Sequence, residues 1–174
     1  ALSQGSDGGG SIRLPASFCG VYGFKSTQGR VPRNDRAGIP ITANQFNQWG
    51  PITRTVRDAA LMLEVMAGYY PEDPASLRSE PESYLRSTEQ DIDGLRIAWS
   101  PDFGFAQVDP EAIETTEKAA RSFEELGCRV SDVEFSIEPI FDFFWPLYSA
   151  NVYAVLGSLL DRQADKLTDY VREA

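Results

Sequence analysis

The stretch from Leu95 to Phe135 limits the possible folds more than any other part of the chain. Leu95 to Trp99 is a short apolar run that reads as a buried strand. Asp109, Pro110 and Glu111 then form a helix start, with an aspartate N-cap and a proline in the first helical position. Ile113, Ala119, Ala120, Phe123 and Leu126 fall on one helical face, and Gly127 supplies the stop. From Cys128 to Phe135 the apolar positions Cys128, Val130, Val133 and Phe135 are interleaved with polar ones, which predicts a second strand. A strand, a helix and a strand of these lengths make a right-handed βαβ crossover, so the sheet is expected to be parallel or mixed. The expected class is α/β, a mixed twisted sheet flanked by helices.

The flanking regions differ in texture. Residues 1–50 are rich in glycine and proline and lack a long helical period, so they read as loops with short regular pieces. Pro51 to Arg54 reads as a short strand. Thr55, with Asp58 three positions on, is an N-cap. Val56, Ala59, Ala60, Leu63 and Ala67 mark one face of the helix that follows, ending at Gly68. Residues 69–93 mix Pro71, Pro74 and Pro81 with charges and predict an exposed connection. Beyond Ile137 the pattern is helical again, with an aromatic stripe of Phe141, Phe144, Trp145, Tyr148, Val152 and Val155 expected to pack as core. Pro139, Pro146 and Gly157 are expected to start, kink or divide it. The organisation is thus 1–68, 69–93 and 94–174 within a single domain, a reading that the length of 174 residues allows.

Composition excludes several chemistries. The chain has no histidine, which removes Ser-His-Asp and Cys-His catalysis from within it and argues against most zinc sites. A formal charge of -10 repels phosphate backbones and anionic membranes, so neither direct nucleic-acid binding nor membrane binding is expected. Cys19 and Cys128 lie far apart in apolar stretches and read as two buried thiols of a reducing compartment. No apolar run approaches the ~20 residues of a membrane span, and no leader pattern opens the chain, so a cytoplasmic location is expected. Neither a cofactor nor a metal is predicted.

The segment Gly5-Ser6-Asp7-Gly8-Gly9-Gly10-Ser11-Ile12-Arg13-Leu14-Pro15-Ala16 carries the chemistry. Consecutive glycines let backbone N–H groups converge on one point, where they can cradle a phosphate or stabilise an oxyanion. Ser11 is preceded by glycine where a phosphate-binding loop has lysine, and neither a dinucleotide fingerprint nor a G-x-S-x-G elbow is present. A serine after glycines is equally the pattern of a loop or helix cap. Arg13, Arg30 and Arg54 read as a carboxylate clamp or as separate structural pairs. Glu111, Glu114 and Glu117 read as a solvated helix face, as do Glu124 and Glu125.

That segment resembles the amidase signature, together with Phe18-Cys19-Gly20, Gly23-Phe24-Lys25, Gly29-Arg30-Val31-Pro32 and Trp49-Gly50-Pro51-Ile52-Thr53-Arg54-Thr55-Val56. It departs from the usual pattern at Ser6, Gly8 and Ser26. The resemblance implies an incomplete amidase-signature fold that carries part of a Ser-Ser-Lys triad. Ser11 would be the catalytic nucleophile and form an acyl-serine intermediate. The backbone N–H groups of Gly8, Gly9, Gly10 and Ser11 would form the oxyanion hole, and Asp7 and Arg13 would pair to support the loop. The relay serine and the lysine base belong upstream of the nucleophile in this family. Ser3 and Ser6 lie too close to substitute, and Lys25 falls in a structural block.

The expected substrate is therefore a small-molecule amide, with upstream and downstream segments of a parent chain as partners, an oligomer allowed, and no cofactor. These 174 residues alone are expected to be inactive. Two alternatives stand beside the amidase reading: the A-type subunit of a glutamine-dependent aminoacyl-tRNA amidotransferase, with B- and C-type partners, and a noncatalytic interaction module.

Overall fold

Leu2–Asp7 is a polar segment with little strand character of its own, yet it forms β1 by pairing antiparallel with β3, Gln48–Thr53. The register runs from Leu2 opposite Thr53 to Asp7 opposite Gln48. β2, Tyr22–Gly23, pairs with the other edge of β3, so β3 is the middle strand. These elements belong to a computed structural model that describes residues 1–33, 46–78, 83–137 and 140–173. The short strand expected near Pro51 begins three residues earlier, at Gln48, with Pro51 fully buried.

A proline inside a middle strand is unusual because it donates no ladder bond. Here the loss falls where β2 ends, since the Pro51 carbonyl accepts from Phe24 N at 3.0 Å, one residue beyond the paired Gly23. The Phe24 carbonyl presses against the sheet at that point. A β-carbon on Gly50 would sit 1.9 Å from its oxygen, so only glycine permits this approach.

α2, Val56–Met66, starts where the sequence places it, with the Thr55 hydroxyl accepting from Asp58 N at 3.1 Å. Ala59, Ala60 and Leu63 are buried, whereas Val56 at the start of the face is exposed. Residues 69–78 are anchored rather than free. Asp73 is buried and accepts from Arg33 N at 2.8 Å and from Ala75 N at 2.9 Å. A short helix α3, Tyr84–Ser87, follows, and its start is tied to α2 through the Glu64 carboxylate, which accepts from the Ser83 hydroxyl and Leu85 N. Pro81 lies outside the described residues.

The crossover is present as expected. β4, Arg96–Trp99, and β5, Arg129–Asp132, pair in parallel, with Arg96 opposite Arg129 and Trp99 opposite Asp132. α4, Pro110–Arg121, connects them, and the Asp109 carboxylate accepts from Glu111 N at 2.8 Å. A 3-10 turn over Ser122–Leu126 leads to Gly127, which takes the left-handed conformation at the stop. The α/β class holds, with antiparallel and parallel pairings divided between a three-stranded and a two-stranded sheet. β4 is not buried as expected. With one partner strand among the described residues, Ile97 and Trp99 are half-buried and Arg96 and Ala98 exposed.

The last long element, α5, Phe141–Gln163, runs through Pro146 and Gly157 without dividing. Pro139 lies outside the described residues, as does the side chain of Val155. The aromatic stripe does not form a core. Phe141 is exposed and stacks on Trp145 with centroids 5.6 Å apart, and Trp145, Phe144, Tyr148 and Val152 are half-buried. Phe143, Leu147 and Tyr153 are exposed as well, so the helix is apolar all round and no single covering layer would bury it. A further short helix, α6, Asp169–Glu173, ends the described chain. By compactness, residues 1–89 with 147–174 form one unit and residues 90–146 a second.

Cys128 is buried with its thiol against the Ile92 carbonyl, but Cys19 is exposed. α1, Arg13–Phe18, is too short to cover its own end, and only Ala16 among its residues is buried.

The tightest point of the first unit is Gly29, at φ +76°, where a β-carbon would lie 1.8 Å from the Ala75 carbonyl oxygen and 2.8 Å from its carbon. Its own carbonyl accepts from Leu77 N at 2.9 Å. Gly29→Ala is expected to destabilise the native protein by about 3 kcal/mol or more, because backbone blocks the new methyl and the conformation disfavours it. Denaturant unfolding of the two proteins, compared by midpoint, checks this.

Candidate functional site

The glycine loop leaves the sheet at the end of β1 and re-enters regular structure at α1, and Asp7 governs both ends. Its side chain is fully buried and accepts five hydrogen bonds. Oδ1 takes Gly10 N at 2.7 Å and Arg13 Nη2 at 3.0 Å. Oδ2 takes Ile12 N and Arg13 N, each at 3.3 Å, and Arg13 Nε at 2.9 Å. No side chain at the start of α1 caps it, so the Asp7 carboxylate does so from outside, answering N–H groups that a helix start leaves unsatisfied. The Arg13 guanidinium and the three backbone donors hold this carboxyl well below the usual carboxylate range. Asp7 raises the pKa of Arg13 in turn.

The loop curls because Gly10 adopts φ +121°, with its carbonyl accepting from Leu14 N at 2.7 Å. Ser11 is thereby carried to the surface, between Gly10 and the fully buried Ile12. Its hydroxyl has no hydrogen-bond partner among the described residues. The same is true of the N–H groups of Gly8, Gly9 and Ser11. Gly10 N–H differs from these three, because it is committed to Asp7. That commitment is absent from the sequence reading. Its only trace there is an aspartate three residues before the glycine, the spacing at which a side-chain carboxylate closes a turn.

None of the three lysines stands in for a partner of Ser11. Lys25 and Lys166 are exposed, and Lys118 pairs with Glu114 on the surface of α4. Arg13 is engaged by Asp7, and Arg54 is exposed in the bend before α2. The glutamates of α4 are mostly exposed; Glu117 is half-buried and pairs with Arg121. Among the described residues no group of three or more cysteine, aspartate or glutamate side chains is placed to share a metal ion, and no helix is long and apolar enough to cross a membrane.

Comparison with known proteins gives a consistent set of relatives. The amidase family matches residues 1–173. An acylamidase of Rhodococcus erythropolis is 45% identical over 134 residues, covering 75% of this chain and 27% of its own length. The A-type subunit of the glutamyl-tRNA(Gln) amidotransferase of Caldanaerobacter subterraneus is 39% identical over 162 residues, covering 93% of this chain and 32% of its own. Among solved structures, a bacterial aryl acylamidase of the amidase signature family superposes with a TM-score of 0.86 at 32% identity, covering 99% of this chain and 37% of that one. The chain thus spans about a third of the length of the relatives it matches.

Because the folded carboxyl of Asp7 titrates below its unfolded value, the stability it contributes is complete above about pH 4, the unfolded aspartate range. It is lost as pH falls from there toward the depressed folded value. Asp7→Asn keeps one acceptor but turns the other oxygen into a donor facing Ile12 N, Arg13 N and Arg13 Nε. The expected loss near neutrality is about 3 kcal/mol, with a flatter acid limb than the parent's. Urea unfolding of both proteins from pH 7 to pH 3 reads both effects.

Proposed function

The chain belongs to the amidase family, and from that premise we propose that it carries the nucleophile half of an amide-hydrolysing site, with Ser11 as the attacking residue. The observation that carries the reading is the loop itself: a surface hydroxyl on a turn anchored by a buried carboxylate, with the N–H groups of Gly8, Gly9 and Ser11 unbonded among the described residues.

In the proposed reaction the Ser11 oxygen attacks the amide carbonyl, and the hydroxyl proton passes to a base. The carbonyl oxygen becomes an oxyanion within reach of N–H donors from Gly8, Gly9 and Ser11. In this family pattern the donor set also includes Gly10, but its N–H is bonded to Asp7 and so serves the turn. Each such donor is typically worth about 3 to 4 kcal/mol in the transition state. Collapse breaks the C–N bond, the leaving amine takes up the proton, and an acyl ester remains on Ser11 until water cleaves it. The base and the proton relay are a lysine and a serine supplied N-terminal to Ala1, as the resemblance implies. Asp7 and Arg13 act by holding the loop.

A second reading, the A-type component of a tRNA-dependent amidotransferase, is favoured by one observation. The Caldanaerobacter relative aligns with 93% of this chain at 39% identity. The two readings share the Ser11 chemistry and differ in the acyl donor and in the need for partner proteins.

In the full-length protein, Ser11→Ala is expected to lower amide turnover by at least about 10³-fold. It should also abolish the acyl-hydroxamate that forms when hydroxylamine intercepts the acyl ester. Residues 1–174 alone, given the same simple amides and hydroxylamine, are expected to form no hydroxamate. Robust turnover by that piece would overturn the assignment of the base to residues outside it.

A further inference from the structure

Two residues flank Ser11, and the sheet holds both. Gly10 is held through its N–H on Asp7. Ile12 is held through its N–H on the same carboxylate and also by its side chain, which is the largest fully buried one in the described chain. We infer that Ile12 is the positioning residue for Ser11, acting as a plug in a socket formed by three glycines, one from each strand of the sheet. This rests on the reading of Ser11 as the nucleophile.

The three walls meet different branches of the plug. A methyl group on Gly5 of β1 would lie 3.0 Å from Ile12 Cγ1. One on Gly23 of β2 would lie 3.1 Å from Ile12 Cγ2 and equally far from its carbonyl oxygen. One on Gly50 of β3 would lie 3.2 Å from Ile12 Cδ1. Gly23 and Gly50 have still closer neighbours, Ala16 Cβ at 2.6 Å and the Phe24 carbonyl oxygen at 1.9 Å, whereas at Gly5 the nearest atom is Ile12 Cγ1, with Ile52 Cδ1 next at 3.2 Å. A β-branched residue is stiff about χ1, so contact on both of its branches fixes the backbone that carries it. Ser11 is one peptide unit away, with its Cα about 3.8 Å from that of Ile12. Any shift of the plug therefore moves the attacking oxygen. Leucine has the same bulk but no branch at Cβ, so it lacks the contact with β2.

The test uses the full-length protein and a fluorophosphonate probe, whose labelling rate per folded molecule reports the reactivity of Ser11 independently of substrate binding. Ile12→Ala is expected to label about 100-fold more slowly than the parent and to lose kcat with little change in KM, since a displacement of about 1 Å costs roughly that much. Leu63→Ala, a core truncation in α2, serves as the stability control. It is expected to lower Tm comparably and to leave labelling within about threefold. Ile12→Val should retain most of the rate, and Ile12→Leu should lose about tenfold. Gly5→Ala, which crowds Ile12 Cγ1, should also lose about tenfold, and in the Ile12→Ala background, where that carbon is gone, it should cost little further. An Ile12→Ala protein no slower than Leu63→Ala overturns the assignment, as does a double variant whose loss is simply the product of the two singles. Ser11→Ala separates the two ideas, because labelling that survives it defeats the nucleophile reading and leaves the packing argument untouched.

Discussion

A fully buried aspartate is costly unless its charge is answered, and at Asp7 every part of the answer comes from the loop it supports. Three backbone N–H groups and two guanidinium nitrogens converge on one carboxylate. The glycine turn, the start of α1 and the outward face of Ser11 are therefore one construction. Removing the charge would release both ends of the turn together. The ion pair with Arg13 is the solvent-facing edge of this arrangement, since the Arg13 side chain is 56% exposed while that of Asp7 is not exposed at all. The Arg13 guanidinium bonds are the largest single contribution to holding the charge, and the backbone donors, which salt screens poorly, add to it.

Local chemistry was legible in the sequence, and long-range chemistry was not. Thr55, Asp109 with Pro110, and Gly127 each announce an element boundary through a side chain or a φ preference acting within a few residues, and each boundary stands where it was expected. β1 announced nothing. Leu2–Asp7 neither alternates nor favours extended structure, and it becomes a strand only because Gln48–Thr53 lies beside it. The exposed Cys19 and the aromatic stripe of α5, exposed at Phe141 and half-buried at Phe144, Trp145, Tyr148 and Val152, depart from the sequence expectations for a related reason. Apolar composition states what a side chain prefers, but burial needs a second surface to meet it. In the loop, the Asp7 and Arg13 pairing could be named from family likeness. The diversion of Gly10 N–H to Asp7 depends on curvature set at φ +121°, of which the three-residue spacing from Asp7 to Gly10 is the only trace.

The glycines of the first sheet serve two different ends. Gly10 is needed for its backbone conformation, whereas Gly5 and Gly50 have ordinary strand geometry and are needed for what they leave empty. That second use explains why these two facing positions carry no side chain of their own. The space is occupied by Ile12, which arrives from the loop.

The order β1-β3-β2 also has a consequence in time. Both outer strands depend on the middle one, and β3 is the last of the three to be made. Leu2 meets Thr53, so pairing closes a loop of about fifty residues, and the sheet is a non-local structure of the kind that forms slowly. On a growing chain, residues 1–23 emerge well before β3, the strand on which both outer strands depend. The serine thus leaves the ribosome before the sheet beneath its loop can form, and its setting is complete only after residue 53 has followed it out.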